Sequence, residues 1–290
     1  MIDQLILHTT TEVQIRQFIA SPTHAVLITG PDGVGKTAIG EAIICALLHA
    51  DQQKLAAHPH IARLTPEGKT ISIESIRGLQ RFLQLKTIGT NPYRRAVLIE
   101  HAGALTTEAQ NAFLKLLEEP PADTLLVLTA SSPRVLLPTI RSRLQSITAH
   151  PPTEVQLQQL LQSFGKDDTT TKQAYFLSGG LPGLLCALLS GDEQHPMLAS
   201  VASAKEILQK TLYERLCMLD GLSKQKETAA GVLEALERIA STGLRGATAK
   251  QDSTRIRQWH GVRKATLEAR RAIDSNVNAK LVLSNLFLHI

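Results

Sequence analysis

One octapeptide near the N-terminus, Gly30-Pro-Asp-Gly-Val-Gly35-Lys36-Thr37, limits the folds open to this chain more than any other segment. It matches GxxxxGK[ST], and its setting gives the match meaning: an apolar strand, Ala25–Thr29, runs into Gly30, and a helix is expected from about Thr37 to Ala50. Glycines let backbone N–H groups curl round phosphate oxygens without a Cβ in the way, and the helix N-terminus adds a favourable dipole. The expected cradle is Gly30, Asp32, Gly33, Val34, Gly35, Lys36, Thr37 and Ala38. Lys36 would reach the β- and γ-phosphates and the Thr37 hydroxyl would ligate Mg2+. ATP or ADP with Mg2+ is therefore the expected cofactor.

The loop sits in an alternating pattern. Helix is expected from Thr10 or Thr11 to Ile19, over Ile73–Lys86 and over Thr106–Glu119, the last stopped by Pro120-Pro121. Short apolar runs at His24–Thr29, Ile61–Leu64, Ala96–Glu100 and Thr124–Thr129 read as buried strands. Strands alternating with helices predict a parallel sheet covered on both faces. After Pro151-Pro152 only helical patterns remain: Thr153–Phe164, Thr171–Leu177, Pro182–Leu189, Ala199–Leu222, Lys226–Ala240 and Asp252–Leu288. Hydrolysis needs a carboxylate at the end of a second strand and a water-orienting group beside it. Here those positions hold Glu100, a longer magnesium-side carboxylate than aspartate, and His101, which carries no fixed negative charge. Weak or absent hydrolysis follows.

Composition excludes several classes. With 43% hydrophobic and 20% charged residues, the 290-residue chain can bury a core, and it has length for two or three domains. No apolar run approaches the roughly 18 residues of a membrane span, and the N-terminus lacks a signal-peptide pattern, so a cytoplasmic protein is expected. Cys45, Cys186 and Cys217 are far apart, which argues against a disulfide framework or a structural zinc site; His58 and His60 read as loop residues. Residues 241–290 carry +6 and the first 240 sum to −1, which suits an anionic partner or a solvated helix surface alike. Aromatic residues are only 3%, so a base-stacking platform is not expected. Lys115 with Glu118 and Glu119 reads as ordinary pairing along a helix, and Cys217 and Met218 as core filling.

Four segments carry a more specific likeness: Gly30–Thr37, Thr65–Arg77, Ala109–Pro121 and Leu137–Gln145, with a fainter echo at Asn276–Leu283. In this order they resemble the bacterial clamp-loader subunits of the AAA+ class, most closely the delta-prime type of DNA polymerase III. The resemblance implies a nucleotide-binding domain over 1–150, a helical lid over 151–192 and a helical collar over 193–290. It implies gamma/tau-like and delta-like partner subunits in a five-membered assembly that places a sliding clamp on primed DNA. In Ser142-Arg143-Leu144 the family's arginine, presented in trans to a neighbour's ATP, is kept while its cysteine is not. The second-strand motif departs from the family's Asp-Glu, the lid's sensor arginine is replaced near Gly183, and Ser131 stands nearest the first sensor. The four-cysteine zinc module has no counterpart, so zinc is not expected. The combination implies a non-motor subunit that holds nucleotide weakly or structurally and lends Arg143. On the residues alone, a self-sufficient AAA+ ATPase acting on DNA and a basic nucleic-acid-binding module stay open.

Overall fold

A computed structural model describes residues 2, 5–84, 87, 90–153, 155–157, 168–190 and 196–290, and the chain divides into two compact units, Met1–Gln158 and Gln159–Ile290. The first holds helix α1 (Thr9–Ala20), strand β1 (Ala25–Thr29), α2 (Lys36–Leu48), β2 (Ile61–Leu64), α3 (Ile73–Leu83), β3 (Arg95–Ile99), α4 (Thr107–Glu118), β4 (Thr124–Ala130), α5 (Pro138–Arg141) and β5 (Gln145–Thr148). The strands form one sheet in the order β2-β3-β4-β1-β5, and every pairing is parallel. This is the α/β fold expected from the alternating pattern. β1, β3 and β4 are buried along their whole length, as continuous apolar runs require when helices cover both faces.

Alternation within those runs sorts the two layers. Leu27, Val97, Ile99, Leu126 and Leu128 form one core with Ile76 and Leu79 of α3 and Phe113, Leu116 and Leu117 of α4. On the other face α2 lies so close that a Cβ on Gly40 would come within 3.1 Å of both Leu98 and Val127. β5 was not legible as a strand. Only Ile147 of its four residues is buried, so it has no apolar run, and pairing with β1 makes the strand. α1 is capped by the His8 side chain rather than by Thr10 or Thr11; Thr11 is buried and donates to the Thr148 carbonyl on β5 at 3.1 Å.

The amino ends of β3 and β4 are tied by a buried charge cluster. Arg94 and Arg95 donate their backbone N–H groups to the Asp123 carbonyl at 2.9 and 3.1 Å. The Arg95 guanidinium meets the Asp123 carboxylate at 3.0 Å and reaches the Leu83 carbonyl at the end of α3. Thr87 donates to the same carboxylate. Burial pushes the Asp123 carboxyl up, but Thr87, Arg95 and Arg94 outweigh it and hold the group below its ordinary value.

In the second unit, α6 (Asp168–Ser178), α7 (Pro182–Ser190), α8 (Pro196–Gln209), α9 (Leu212–Cys217), α10 (Leu219–Leu222), α11 (Lys226–Ala249), α12 (Ser253–Asp274) and α13 (Ala279–His289) follow one another, with no strand among the described residues. Val201, Ile207, Leu233, Leu236, Ile273, Leu283 and Phe287 fill its core. Two expected helices are each broken. Thr211 and Glu214 form a capping box that starts α9 afresh inside Ala199–Leu222. Asn276 at φ 62° and the Asn278 cap end α12 and start α13 inside Asp252–Leu288. Lys226–Ala240 instead runs on to Ala249, and Gly243 within it lets Trp259 of α12 sit where a Cβ would be 2.3 Å from the indole. Met218 packs on the core as expected, whereas Cys217 is exposed, because α9 rides the surface with Tyr213 and Leu216 also facing out. Most of Thr153–Phe164 and the expected 192/193 boundary lie outside the described residues.

Asp123→Ala leaves Arg95 buried without its carboxylate and should cost about 3–5 kcal/mol in urea unfolding of the chain. The wild-type contribution is complete above the unfolded aspartate pKa of about 3.9 and should be lost as pH falls through the lower folded value.

Candidate functional site

Because every strand is parallel, the carboxyl ends of β1, β2, β3 and β4 open on one edge of the sheet, and the residues that follow them collect there. β1 hands the chain to Gly30, whose N–H donates to the Ala130 carbonyl at the end of β4 at 3.3 Å. A Cβ at Gly30 would stand 2.4 Å from the Ala149 carbonyl oxygen, so glycine is required for the loop to leave the sheet beside β5. Gly35, at φ 93°, turns the loop into α2 in a backbone region that glycine enters without strain. Val34 packs inward, and Thr37 and Ala38 form the first turn of α2. Lys36, only 7% exposed, donates to the Gly30 and Pro31 carbonyls at 2.8 and 3.1 Å and pairs with the Asp32 carboxylate at 2.8 Å. Asp32 is well exposed, so its hold on the ammonium is weak and gives way to a stronger anion at little cost.

The other half of the site lies at the ends of β2 and β3. Thr37 donates its hydroxyl to Glu100 Oε2 at 2.8 Å. Glu100 Oε1 accepts from Arg63 Nε, and the same guanidinium reaches Glu41 Oε1 at 3.0 Å. The bond to Glu100 raises the Arg63 pKa further above its already high value. Neither Arg63 nor Glu41 was among the residues expected from the sequence. Glu41 falls one turn after Thr37 on α2, which is a readable signal; Arg63 is an isolated cation in an edge strand and has none until the register is known. Ser131 follows β4 and is exposed at the same edge. His101 adopts a left-handed backbone, φ 50°, with its N–H on Thr129 Oγ1 at 3.1 Å and its ring exposed. The structure thus brings Thr37 and Glu100 together and turns His101 at the surface.

The residues fit the phosphates of a nucleotide: glycine turns, a helix N-terminus and a lysine held by weak local acceptors. They do not fit the magnesium ion such a loop implies. Thr37 and Glu100 are adjacent as that ion needs, but both Glu100 oxygens are engaged, one of them by a cation.

Arg143 follows α5 at the surface, its side chain 37% exposed. It donates to the Thr139 carbonyl at 2.9 Å, to Ser142 Oγ at 3.3 Å and to Glu118 Oε1 at 2.8 Å. Glu118 therefore pairs across to the α5–β5 turn rather than along α4 with Lys115. Leu144, where the resembled family has cysteine, is buried in the core with Ile140. His58 and His60 stack edge to face with centroids 6.0 Å apart in the segment before β2, beside Tyr93 and Arg94. Gly183 lies in the first turn of α7. Among the described residues no cluster of three or more His, Cys, Asp or Glu side chains is placed to hold a metal ion, and no helix is long and apolar enough to cross a membrane. Of the basic residues in 241–290, Arg255, Arg270 and Lys280 pair with Asp252, Glu237 and Asp220.

The sequence profile of the family described as DNA polymerase III, delta subunit, matches residues 12–153. The DNA polymerase III subunit delta' of Pseudomonas aeruginosa is 33% identical over 215 residues, covering 66% of this chain and 63% of that protein. The subunit delta' of Escherichia coli K12 is 32% identical over 187 residues, 58% of this chain and 55% of that protein. The chain thus spans less than two thirds of these curated relatives. A DNA polymerase III gamma-subunit-related protein from Thermotoga maritima superposes with a TM-score of 0.50 at 22% identity, covering 96% of this chain and 97% of its own, which is a likeness of fold.

Gly30→Ala drives a methyl into the Ala149 carbonyl. It should lower stability by about 1–3 kcal/mol in denaturant titration.

Proposed function

We propose that the chain, whose residues 12–153 match the DNA polymerase III delta-subunit family, is a non-motor clamp-loader subunit of the delta-prime type that lends Arg143 to a neighbour's nucleotide. In this reading the chain works in the cytoplasm beside gamma/tau-like and delta-like subunits, in an assembly that sets a sliding clamp on primed DNA. One observation carries the proposal: Arg143 is exposed yet held in place by Thr139 and Glu118. A guanidinium delivered to a γ-phosphoryl group stabilises charge spread over its oxygens only if it arrives already oriented, because ordering a free arginine side chain costs rotamer entropy. The carbonyl and carboxylate partners supply that orientation while leaving the group reachable.

The chain's own loop then serves as a phosphate holder. Lys36 exchanges the Asp32 carboxylate for phosphate oxygens, and the glycines and α2 N-terminus supply backbone donors. Turnover there is not expected. His101 offers no fixed charge beside Glu100, and Glu100 is neutralised by Arg63. The basic C-terminal segment needs no separate role as a nucleic-acid module, since part of its charge is already paired with acidic side chains of the same unit.

In the complex reconstituted with its ATPase subunits, Arg143→Ala should lower clamp- and DNA-stimulated ATPase by at least about tenfold, against the roughly 10³–10⁵ that an arginine finger contributes in full. Unchanged stimulation would remove the role. The isolated chain should show no ATP turnover above a Lys36→Ala control; brisk turnover would instead favour a self-sufficient ATPase.

A further inference from the structure

The cation side of the phosphate site is built from groups far apart in sequence. Glu100 leaves the end of β3, Arg63 stands one residue from the end of β2, and Thr37 and Glu41 lie one turn apart on α2. Parallel pairing sets Leu64 beside Ile99 and sends the Glu100 N–H to the Leu64 carbonyl at 2.9 Å, so Arg63 and Glu100 share one corner of the sheet edge. The resulting chain runs from Thr37 Oγ1 to Glu100 Oε2, from Glu100 Oε1 to Arg63 Nε, and from Arg63 Nη1 to Glu41 Oε1. Glu100 is 12% exposed and Glu41 21%, so the two carboxylates are largely withdrawn from water and the guanidinium is the cation that balances them.

We propose that Arg63 is the resident cation of this site, taking the place of the divalent ion, so that the loop binds a nucleoside triphosphate without magnesium. Magnesium dehydrates reluctantly and demands near-octahedral oxygen ligands at about 2.0–2.1 Å. To reach Glu100 here it would have to strip Arg63 from Oε1 or lie against a guanidinium fixed to the same carboxylate, and like charges so placed repel. Arginine does not deprotonate to relieve that repulsion. Glu41 strengthens the arrangement, because its second carboxylate holds Arg63 from α2 and returns it to the corner if one contact opens. The guanidinium keeps further N–H donors, beyond those spent on Glu100 and Glu41, for phosphate oxygens. Lys36 and Arg63 then supply the two positive charges of the site, both covalently part of the chain.

The inference rests on reading Gly30–Thr37 as a phosphate cradle and is independent of Arg143, so the two fail separately. The test titrates ATP into the full chain calorimetrically, in EDTA and in magnesium, and follows Mn2+ by electron paramagnetic resonance with and without ATP. In wild type ATP should bind more tightly in EDTA than in magnesium, because the ion holds the nucleotide in solution while the site takes it without the metal, and ATP should bring no protein-bound Mn2+ signal. Arg63→Ala should acquire both a magnesium requirement of at least about tenfold and an ATP-dependent Mn2+ signal. Arg63→Met, which keeps the apolar stem, serves if the alanine variant melts below wild type. Loss of wild-type binding in EDTA overturns the proposal, and so does an Arg63 variant that binds ATP as the wild type does in both conditions. If wild type binds ATP in neither condition, the phosphate-cradle reading falls and the proposal falls with it; binding in magnesium alone leaves the cradle standing and overturns only the role of Arg63.

Discussion

Parallel pairing of β1 with both β4 and β5 is the constraint on which the rest of the molecule depends. It places β1 inside the sheet, buries it on both faces and leaves its carboxyl end as the one exit for the chain. The exit is narrow: at Gly30 the backbone passes so close to Ala149 that no side chain fits. From there the loop must turn back over the sheet edge, and α2 begins with its N-terminus aimed at the space where β3 and β4 also end. A pairing that reversed β3 or β4 would carry Glu100 or Ser131 to the opposite edge and leave the loop without its surroundings.

Charge at that edge is balanced within the chain. Lys36 answers Asp32 and two carbonyls; Arg63 answers Glu100 and Glu41. The charged groups around the Gly30–Thr37 loop thus find their partners within the same chain. The pairs differ in how firmly they hold. Asp32 is exposed and screened by water, whereas Glu100 is shielded, so the Lys36–Asp32 pair is the weaker of the two. The same contrast appears farther off, where Asp123 and Arg95 lock strand ends deep in the sheet while Glu118 holds Arg143 at the surface.

Much of the fold was legible because burial on two faces writes itself as unbroken apolar runs, as in Ala25–Thr29 and Thr124–Ala130. β5 was not, since an edge strand with only Ile147 buried has no such run. The helix breaks at Thr211 and at Asn276 went unread for another reason: capping residues act locally and do not interrupt hydrophobic periodicity. At the site, Lys36, Thr37 and Glu100 could be named in advance, because a loop motif and a strand-end carboxylate are local patterns. Arg63 could not, since a single arginine in a four-residue strand looks like any surface cation.

By itself the sequence determined the α/β order of the first unit, the Gly30–Thr37 loop between β1 and α2, and the places of Glu100-His101 and Arg143 at the ends of their elements, all of which are carried by neighbours along the chain. Only the tertiary structure decided which charges meet. Arg63 reaches Glu100, Glu118 reaches Arg143 and Arg95 reaches Asp123 because the register of parallel strands and the packing of α2 and α4 bring together residues that no spacing in the sequence connects. Coulomb interactions fall off with distance in space, and the path along the backbone carries no record of that distance.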